Sequence, residues 1–306
     1  MLTQLQLRRF AHDSGIKSLE IVEKEVVLTY FLQLLSERGF LADMAFKGGT
    51  CIRKTWLGNK GRFSTDMDFT ALSSTKTAED LVMHLAEITI DPFHGIRFEI
   101  DLGERGWYET GEGFSWAAEP RYHHALGSGA LQLQVSHRET PTLTPEMRTQ
   151  IEMPYFGLLP FKPAGLQCLR IEEILAEKIR ACYQRDKPRD IWDLDHFANR
   201  PFSEPLIRKL VVIKLWQARD VFSPERWSAK LKEAKAWDWE DLRQLVRGGV
   251  PDPAQMLARC ASRFAFLADM SADEAAVTGD SHQRLRDIHE KLVGECNTLA
   301  REHRLV

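Results

Sequence analysis

The chain has 306 residues, 43% of them hydrophobic and 28% charged, enough to bury a full core and to form two domains. A net charge of −3 gives no ground for a large basic surface, and no apolar run approaches the ~18–20 residues of a membrane span. The N-terminal MLTQLQLRRFAHDSG lacks the continuous apolar core of a signal peptide, and the five cysteines, at 51, 168, 182, 260 and 296, fit buried thiols in a reducing compartment; a cytoplasmic protein without a membrane partner is expected.

Ser18 to Arg38 reads as a long amphipathic helix, apolar at Ile21, Val22, Leu28, Phe31, Leu32 and Leu35 and ended by Gly39. Met44, Ala45 and Phe46 end a buried strand, after which Gly48 and Gly49 let the backbone turn tightly and approach a ligand. A helix is expected to start there. Thr50 adds a hydroxyl, and the unpaired N–H groups of a first helical turn favour an anion such as a triphosphate. Taken alone, Gly-Gly-Thr serves equally as a strand-to-helix turn with no ligand. Ser64-Thr65-Asp66-Met67-Asp68-Phe69 changes that balance, because side chains alternate along a strand and Asp66 and Asp68 project from one face. Two adjacent carboxylates repel, whereas Mg²⁺ stabilises both as anions and fills its other positions with water and phosphate.

A helix is expected near 77–89. Arg97 to Leu102 and Leu131 to Ser136 alternate as strands, separated by a Gly-, Glu- and aromatic-rich hairpin-like stretch at 103–129. His123 and His124 there point opposite ways and are assigned to no metal. From about 165 onward the chain reads as mostly helical, with breaks near Pro201, Pro224 and Gly248-Gly249, and Trp216, Trp227, Trp237 and Trp239 read as core anchors. Ile171, Ile174, Leu175, Ile179 and Cys182 follow helical spacing with Lys178 inside their stripe; a lysine so placed meets a carboxylate or a phosphate, or snorkels to solvent. Asp190 and Asp193 share a side of the next helix, available to Arg185, Arg189 or the lysine, with an N-cap after Pro188 as the plain alternative for Asp190. Positive charge gathers at Lys178, Arg180, Arg185, Lys187 and Arg189, and again at Arg53, Lys54, Lys60 and Arg62.

Gly48-Gly49-Thr50 followed by Arg62-Phe63-Ser64-x-Asp66-x-Asp68-Phe69 resembles the signature of the AbiEii/AbiGii nucleotidyltransferase toxins, which include the MenT-type toxins and belong to the DNA polymerase β-like superfamily. Glu23-Lys24 is similar to the family's N-terminal helical segment, and Lys178 to Arg180 with Arg185 to Asp193 is similar to its downstream motif. The resemblance implies an α+β fold: a polymerase β-like core, a small mixed sheet flanked by helices, over 1–164, then a mostly helical domain over 165–306 contributing Lys178 and the Arg189/Asp190/Asp193 block. It further implies Asp66, Asp68, Lys178 and Asp190 as catalytic residues, with Asp66 and Asp68 holding Mg²⁺ or Mn²⁺. Gly48, Gly49, Thr50, Arg62, Ser64, Lys178, Arg189 and Asp193 then bind the nucleotide.

The reaction so implied is transfer of a nucleoside monophosphate from an NTP to an RNA 3′ end, foremost the tRNA acceptor stem. The setting is a toxin–antitoxin system with an AbiEi-like antitoxin, or phage defence. Transfer to a protein or small molecule, and NTP binding without catalysis, are the alternatives. A third carboxylate is expected on the strand Leu131-Gln-Leu-Gln-Val-Ser136, which offers Gln132 and Gln134 instead; that leaves Glu99 or Asp101, Asp190 or Asp193, or a site with only one firmly held metal.

Overall fold

Short apolar runs punctuated by glycine and proline set the strands of this protein, and the computed structural model describes residues 1–73, 76–103, 106–110, 115–233 and 237–302. The chain divides into two compact units. One comprises Met1–Thr140, Pro145–Cys168 and Gln244–Gly248, the other Pro141–Thr144, Leu169–Arg243 and Gly249 onward.

The first unit is built on a seven-stranded mixed sheet. Its strands are β1 (Met44–Lys47), β2 (Asp66–Ala71), β4 (Trp107–Thr110), β5 (Ser115–Ala118), β8 (Gln132–Ser136), β9 (Glu146–Arg148) and β10 (Leu166–Cys168), in the order β4-β5-β8-β2-β1-β10-β9. β2 lies between β1, antiparallel with Lys47 beside Asp68, and β8, parallel with Gln132 beside Asp66 and Gln134 beside Asp68. Met67, Phe69, Leu133 and Val135 are buried on one face, and the rings of Phe46 and Phe69 stack at 5.0 Å. That inward alternation leaves the two aspartates on the opposite face. A second, antiparallel sheet joins β3 (Arg97–Glu99), β6 (Arg121–His124) and β7 (Gly127–Ala130) in the order β3-β6-β7. Within the stretch read as hairpin-like, residues 104–105 and 111–114 lie outside the described residues; the rest forms the antiparallel pairs β4–β5 and β6–β7. The strand expected over 97–102 stops at Glu99 and pairs with β6, so Glu99 stands in the second sheet, 3.6 Å from His123.

Helices α1 (Gln4–Ser14) and α4 (Ala78–Ile88) start at capping boxes led by Thr3 and Thr77. Between them runs α2 (Leu19–Glu37), with Ser18 accepting from the Ile21 N–H and Gly39 in the left-handed conformation past its end. The amphipathic reading of α2 needs correction. It is buried on nearly every side, from Val26 to Leu35 without a break, and its polar residues Glu25, Thr29 and Gln33 are buried too. It is a core helix whose polar groups find partners inside.

The described elements of the second unit are helices. α5 (Ile171–Gln184) packs on α6 (Pro188–Ala198) and α7 (Glu204–Gln217). α6 receives α10 (Pro253–Arg263), and α7 receives α11 (Ala272–Thr278) and α12 (Arg286–Glu302). α8 (Pro224–Lys230) and α9 (Glu240–Arg243) complete it. Ile171, Ile174, Leu175, Ile179 and Cys182 are buried as their spacing predicts, as are Trp216, Trp227 and Trp237, while Trp239 is half-buried. Pro188, Pro224 and Pro253 each sit in a first helical turn, where a missing N–H costs nothing.

Candidate active site

The turn out of β1 places α3 (Gly48–Ile52) immediately after the strand, with Gly48 at φ +76°. A side chain at either glycine has no room. A Cβ on Gly48 would overlap Oδ2 of Asp68, and one on Gly49 would overlap Nη2 of Arg62 and stand 3.1 Å from Oγ of Ser64. Both glycines are therefore demanded by the approach of the very side chains expected to handle phosphate and metal. Thr50 is fully buried, and its hydroxyl donates to the backbone carbonyl of Asp66, tying the turn to β2; only its N–H is left for an anion. Arg62 and Ser64 are buried beside it, and Arg62 Nη1 donates to the Phe63 carbonyl at 3.2 Å. Thr65 donates to Asp66 Oδ1 at 3.3 Å.

Asp66 and Asp68 are half-buried and supply only hard oxygen donors on one face of β2, a set suited to a divalent cation that draws its remaining ligands from water and phosphate. Among the described residues no group of three or more His, Cys, Asp or Glu side chains converges as a metal cage. Gln132 and Gln134, exposed and in register with the two aspartates, occupy the neighbouring strand positions.

α3 continues as a wider helical turn over Arg53–Leu57, and here the sequence reading missed a feature. Arg53 and Lys54, two of the four cationic residues gathered around the first motif, are completely buried. Arg53 Nε donates to Glu25 Oε2 at 3.0 Å, and Lys54 Nζ to Glu25 Oε1 at 2.8 Å, to Thr29 at 2.8 Å and to the Tyr155 hydroxyl at 2.7 Å. Burial pushes the Glu25 carboxyl up, but its two cations outweigh that and hold it below the ordinary range. Burial pulls Lys54 down, more than its share of one carboxylate offsets. The signal was present: Thr29 interrupts the longest apolar run of α2, and Glu25, four residues earlier and on the same side, stands at its start.

A second missed feature is an open pocket of about 310 Å³ beside Asp66, lined by Lys24, Thr65, Asp66, Glu119, Ala130 and Gln132. Neither Glu119 nor the pocket had a periodicity to betray it.

In the helical unit, Lys178 Nζ meets Asp190 Oδ1 at 2.7 Å and Asp193 Oδ2 at 2.9 Å, both carboxylates being buried. Arg185 grips the other oxygen of Asp190 at 2.9 and 3.0 Å. Asp190 is thus an ion-pair partner and not the cap of α6, whose N-cap is Lys187. Arg189 turns to Asp241 at 3.2 Å. The structure brings together Gly48, Gly49, Thr50, Arg62, Ser64, Asp66 and Asp68 in the first unit, and Lys178, Asp190 and Asp193 in the second.

A glycine cradle opening a helix after a sheet strand, set against a paired Asp-x-Asp on the next strand, defines a nucleotidyltransferase. The family described as nucleotidyl transferase AbiEii toxin, Type IV TA system, matches residues 30–269, and the chain belongs to it. Among solved structures it is similar to MenT4, a nucleotidyltransferase toxin of Mycobacterium tuberculosis H37Rv, at 27% identity and a TM-score of 0.80, over 97% of this chain and 100% of that one. Two Helicobacter pylori structures share the fold alone. One matches at 18% identity over 91% of this chain and 98% of its own; JHP933 matches at 17% over 94% and 99%; both have a TM-score of 0.50. No curated protein matches.

Proposed function

We propose that the protein transfers a nucleoside monophosphate from an NTP to an RNA 3′ end, the 3′-oxygen bonding to the α-phosphorus as pyrophosphate leaves and the hydroxyl proton passes to solvent, with the tRNA acceptor stem as foremost target, and acts as the toxin of a pair with an AbiEi-like antitoxin. The observation that carries this is the packing of Gly48 against Asp68 and of Gly49 against Arg62 and Ser64, in a member of this toxin family. The N–H groups of the α3 turn cradle the triphosphate, Arg62 and Ser64 add donors, and Asp66 and Asp68 hold Mg²⁺ or Mn²⁺. The metal, when bound, supplies charge neutralisation across the phosphates. From the downstream motif, Lys178 compensates triphosphate charge, Asp190 and Asp193 fix its ammonium, and Arg189 contacts the nucleotide.

The test is incubation with each labelled NTP, Mg²⁺ and total tRNA. Label is expected in RNA with at least one NTP, abolished by EDTA and by Asp66→Ala, which also loses toxicity. Label in neither RNA nor protein under any NTP sinks the reading. A second reading, NTP binding without turnover, is favoured by Gln132 and Gln134 at the positions beside the aspartates, since glutamine is no base. Calorimetric NTP·Mg²⁺ binding without transfer, with toxicity surviving Asp66→Ala, is its signature.

A further inference from the structure

We infer that the pocket formed by Lys24, Thr65, Asp66, Glu119, Ala130 and Gln132 is the subsite for the terminal nucleoside of the acceptor RNA, with Glu119 receiving its ribose 2′-hydroxyl and Lys24 the adjoining phosphate. The inference rests on the transferase reading above.

β2 has two neighbours in the sheet. On one side runs β1, which delivers the glycine cradle through Lys47 and Gly48; on the other runs β8, with Gln132 level with Asp66. The pocket is lined from β2 and from the β8 side, by Gln132 with Glu119 and Ala130. An in-line displacement at the α-phosphorus places the attacking 3′-oxygen opposite the departing pyrophosphate, so a triphosphate held on the β1 flank leaves the β8 flank to the nucleophile. The aspartates stand between the two.

The lining suits a nucleoside. β5 pairs with β8 through Ala118 and Leu133, so Glu119, one residue on, comes level with Gln132 and on the face that carries Asp66. This sets a carboxylate, an amide and a second carboxylate along one row, facing Lys24 from α2 and Ala130 from β7. Glu119 is exposed, and among the described residues Lys24 Nζ pairs with the surface residue Glu20, at 3.0 Å. A volume of about 310 Å³ lies at the low end of small-molecule sites, room for one nucleoside. A carboxylate accepts a hydrogen bond from a ribose hydroxyl, and the 2′-hydroxyl is the group that separates RNA from DNA at a given site. A lysine ammonium serves a backbone phosphate as a point charge.

The test uses the full-length protein with an RNA acceptor ending in ribose and the same acceptor ending in 2′-deoxyribose, varying acceptor and NTP separately. Wild type is expected to prefer the ribose end. Glu119→Ala is expected to raise the acceptor KM about tenfold, as loss of one hydrogen bond to a charged group does, and to erase the preference, leaving the KM for NTP within about twofold. Lys24→Gln is expected to raise the acceptor KM and flatten its salt dependence. Both side chains reach solvent, so circular dichroism and the melting temperature should match wild type. The inference is overturned if the NTP KM rises in place of the acceptor KM, if kcat alone falls, or if neither changes in an active enzyme. Wild type that labels no RNA overturns the transferase reading, and this subsite with it.

Discussion

At the scale of single residues, the sharpest constraint is Gly48. Its φ of +76° and the nearness of Asp68 Oδ2 act together: alanine there is strained by about 1–2 kcal/mol and also displaces the carboxylate. Gly48→Ala is expected to lower the melting temperature modestly while cutting transfer about 100-fold, the scale of a 1 Å misplacement at a reacting centre. Kinetics beside a thermal melt check it, and an activity loss no larger than the stability loss would refute the contact as the cause. The Gly-Gly-Thr turn and the Asp pair were legible in the sequence because each rests on local rules, positive φ at glycine and the two-residue period of a strand. Thr50 was legible only in part. Its hydroxyl goes to the Asp66 carbonyl, a partner sixteen positions away that no local pattern announces.

At the scale of elements, α2 shows where sequence reading ran out. Its limits were plain from Ser18 and Gly39, but the apolar positions Ile21, Val22, Leu28, Phe31, Leu32 and Leu35 indicate an amphipathic helix, whereas Glu25, Thr29 and Gln33 are buried as well. Glu25 and Thr29 are buried because Arg53, Lys54 and Tyr155 come to them from elsewhere in the chain, and Gln33 because its side-chain oxygen accepts from the Ala164 N–H. Removing the shared carboxylate leaves two buried cations, so Glu25→Gln is expected to cost about 3–5 kcal/mol at pH 7. The pH dependence follows from the depressed folded value. Glu25 contributes stability above its ordinary value of 4.5, and that contribution is lost as pH falls through the lower value held in the fold. Urea titrations between pH 7 and pH 3 should show a steeper loss for wild type than for Glu25→Gln; parallel slopes would show that the carboxylate is not what the acid limb reports. α5 and α6 were read more completely, since Lys178 falls inside an apolar stripe and the two aspartates share a side. Which acid serves which cation needed the structure: Arg185 goes to Asp190, and Arg189 goes to Asp241.

At the scale of the whole molecule, each unit carries its own core. Among the described residues no helix is long and apolar enough to cross a membrane. The five cysteines are free and buried, as their odd number and wide spacing indicated. Burial pushes the Cys182 thiol well above its ordinary value and Cys296 up to about 12, so neither the thiolate nor access for a reagent is available in the fold. Native protein is expected to show almost no reaction with a thiol reagent at pH 8, and unfolded protein to titrate all five cysteines, with a melting temperature indifferent to reductant. Rapid labelling of folded protein would contradict that packing. The mixed sheet order, in contrast, was not readable. β10 reaches β1 from more than a hundred residues away, with Phe46 beside Cys168, and such pairing leaves no trace in periodicity.

Lys24 and Glu25 are neighbours on α2, yet one lines the open pocket and the other is clamped beneath the glycine cradle by Arg53 and Lys54. On the acceptor reading proposed above, the angular phase of this one helix ties the pocket to the buried cluster of Glu25, Arg53 and Lys54. One alanine inserted between Lys24 and Glu25 would turn the residues before it by about 100° while the clamp holds those after it. Because Val22 is fully buried ahead of that point, the inserted residue is expected to lower the melting temperature as well as to weaken acceptor binding, and an unchanged melting temperature would contradict the packing of α2.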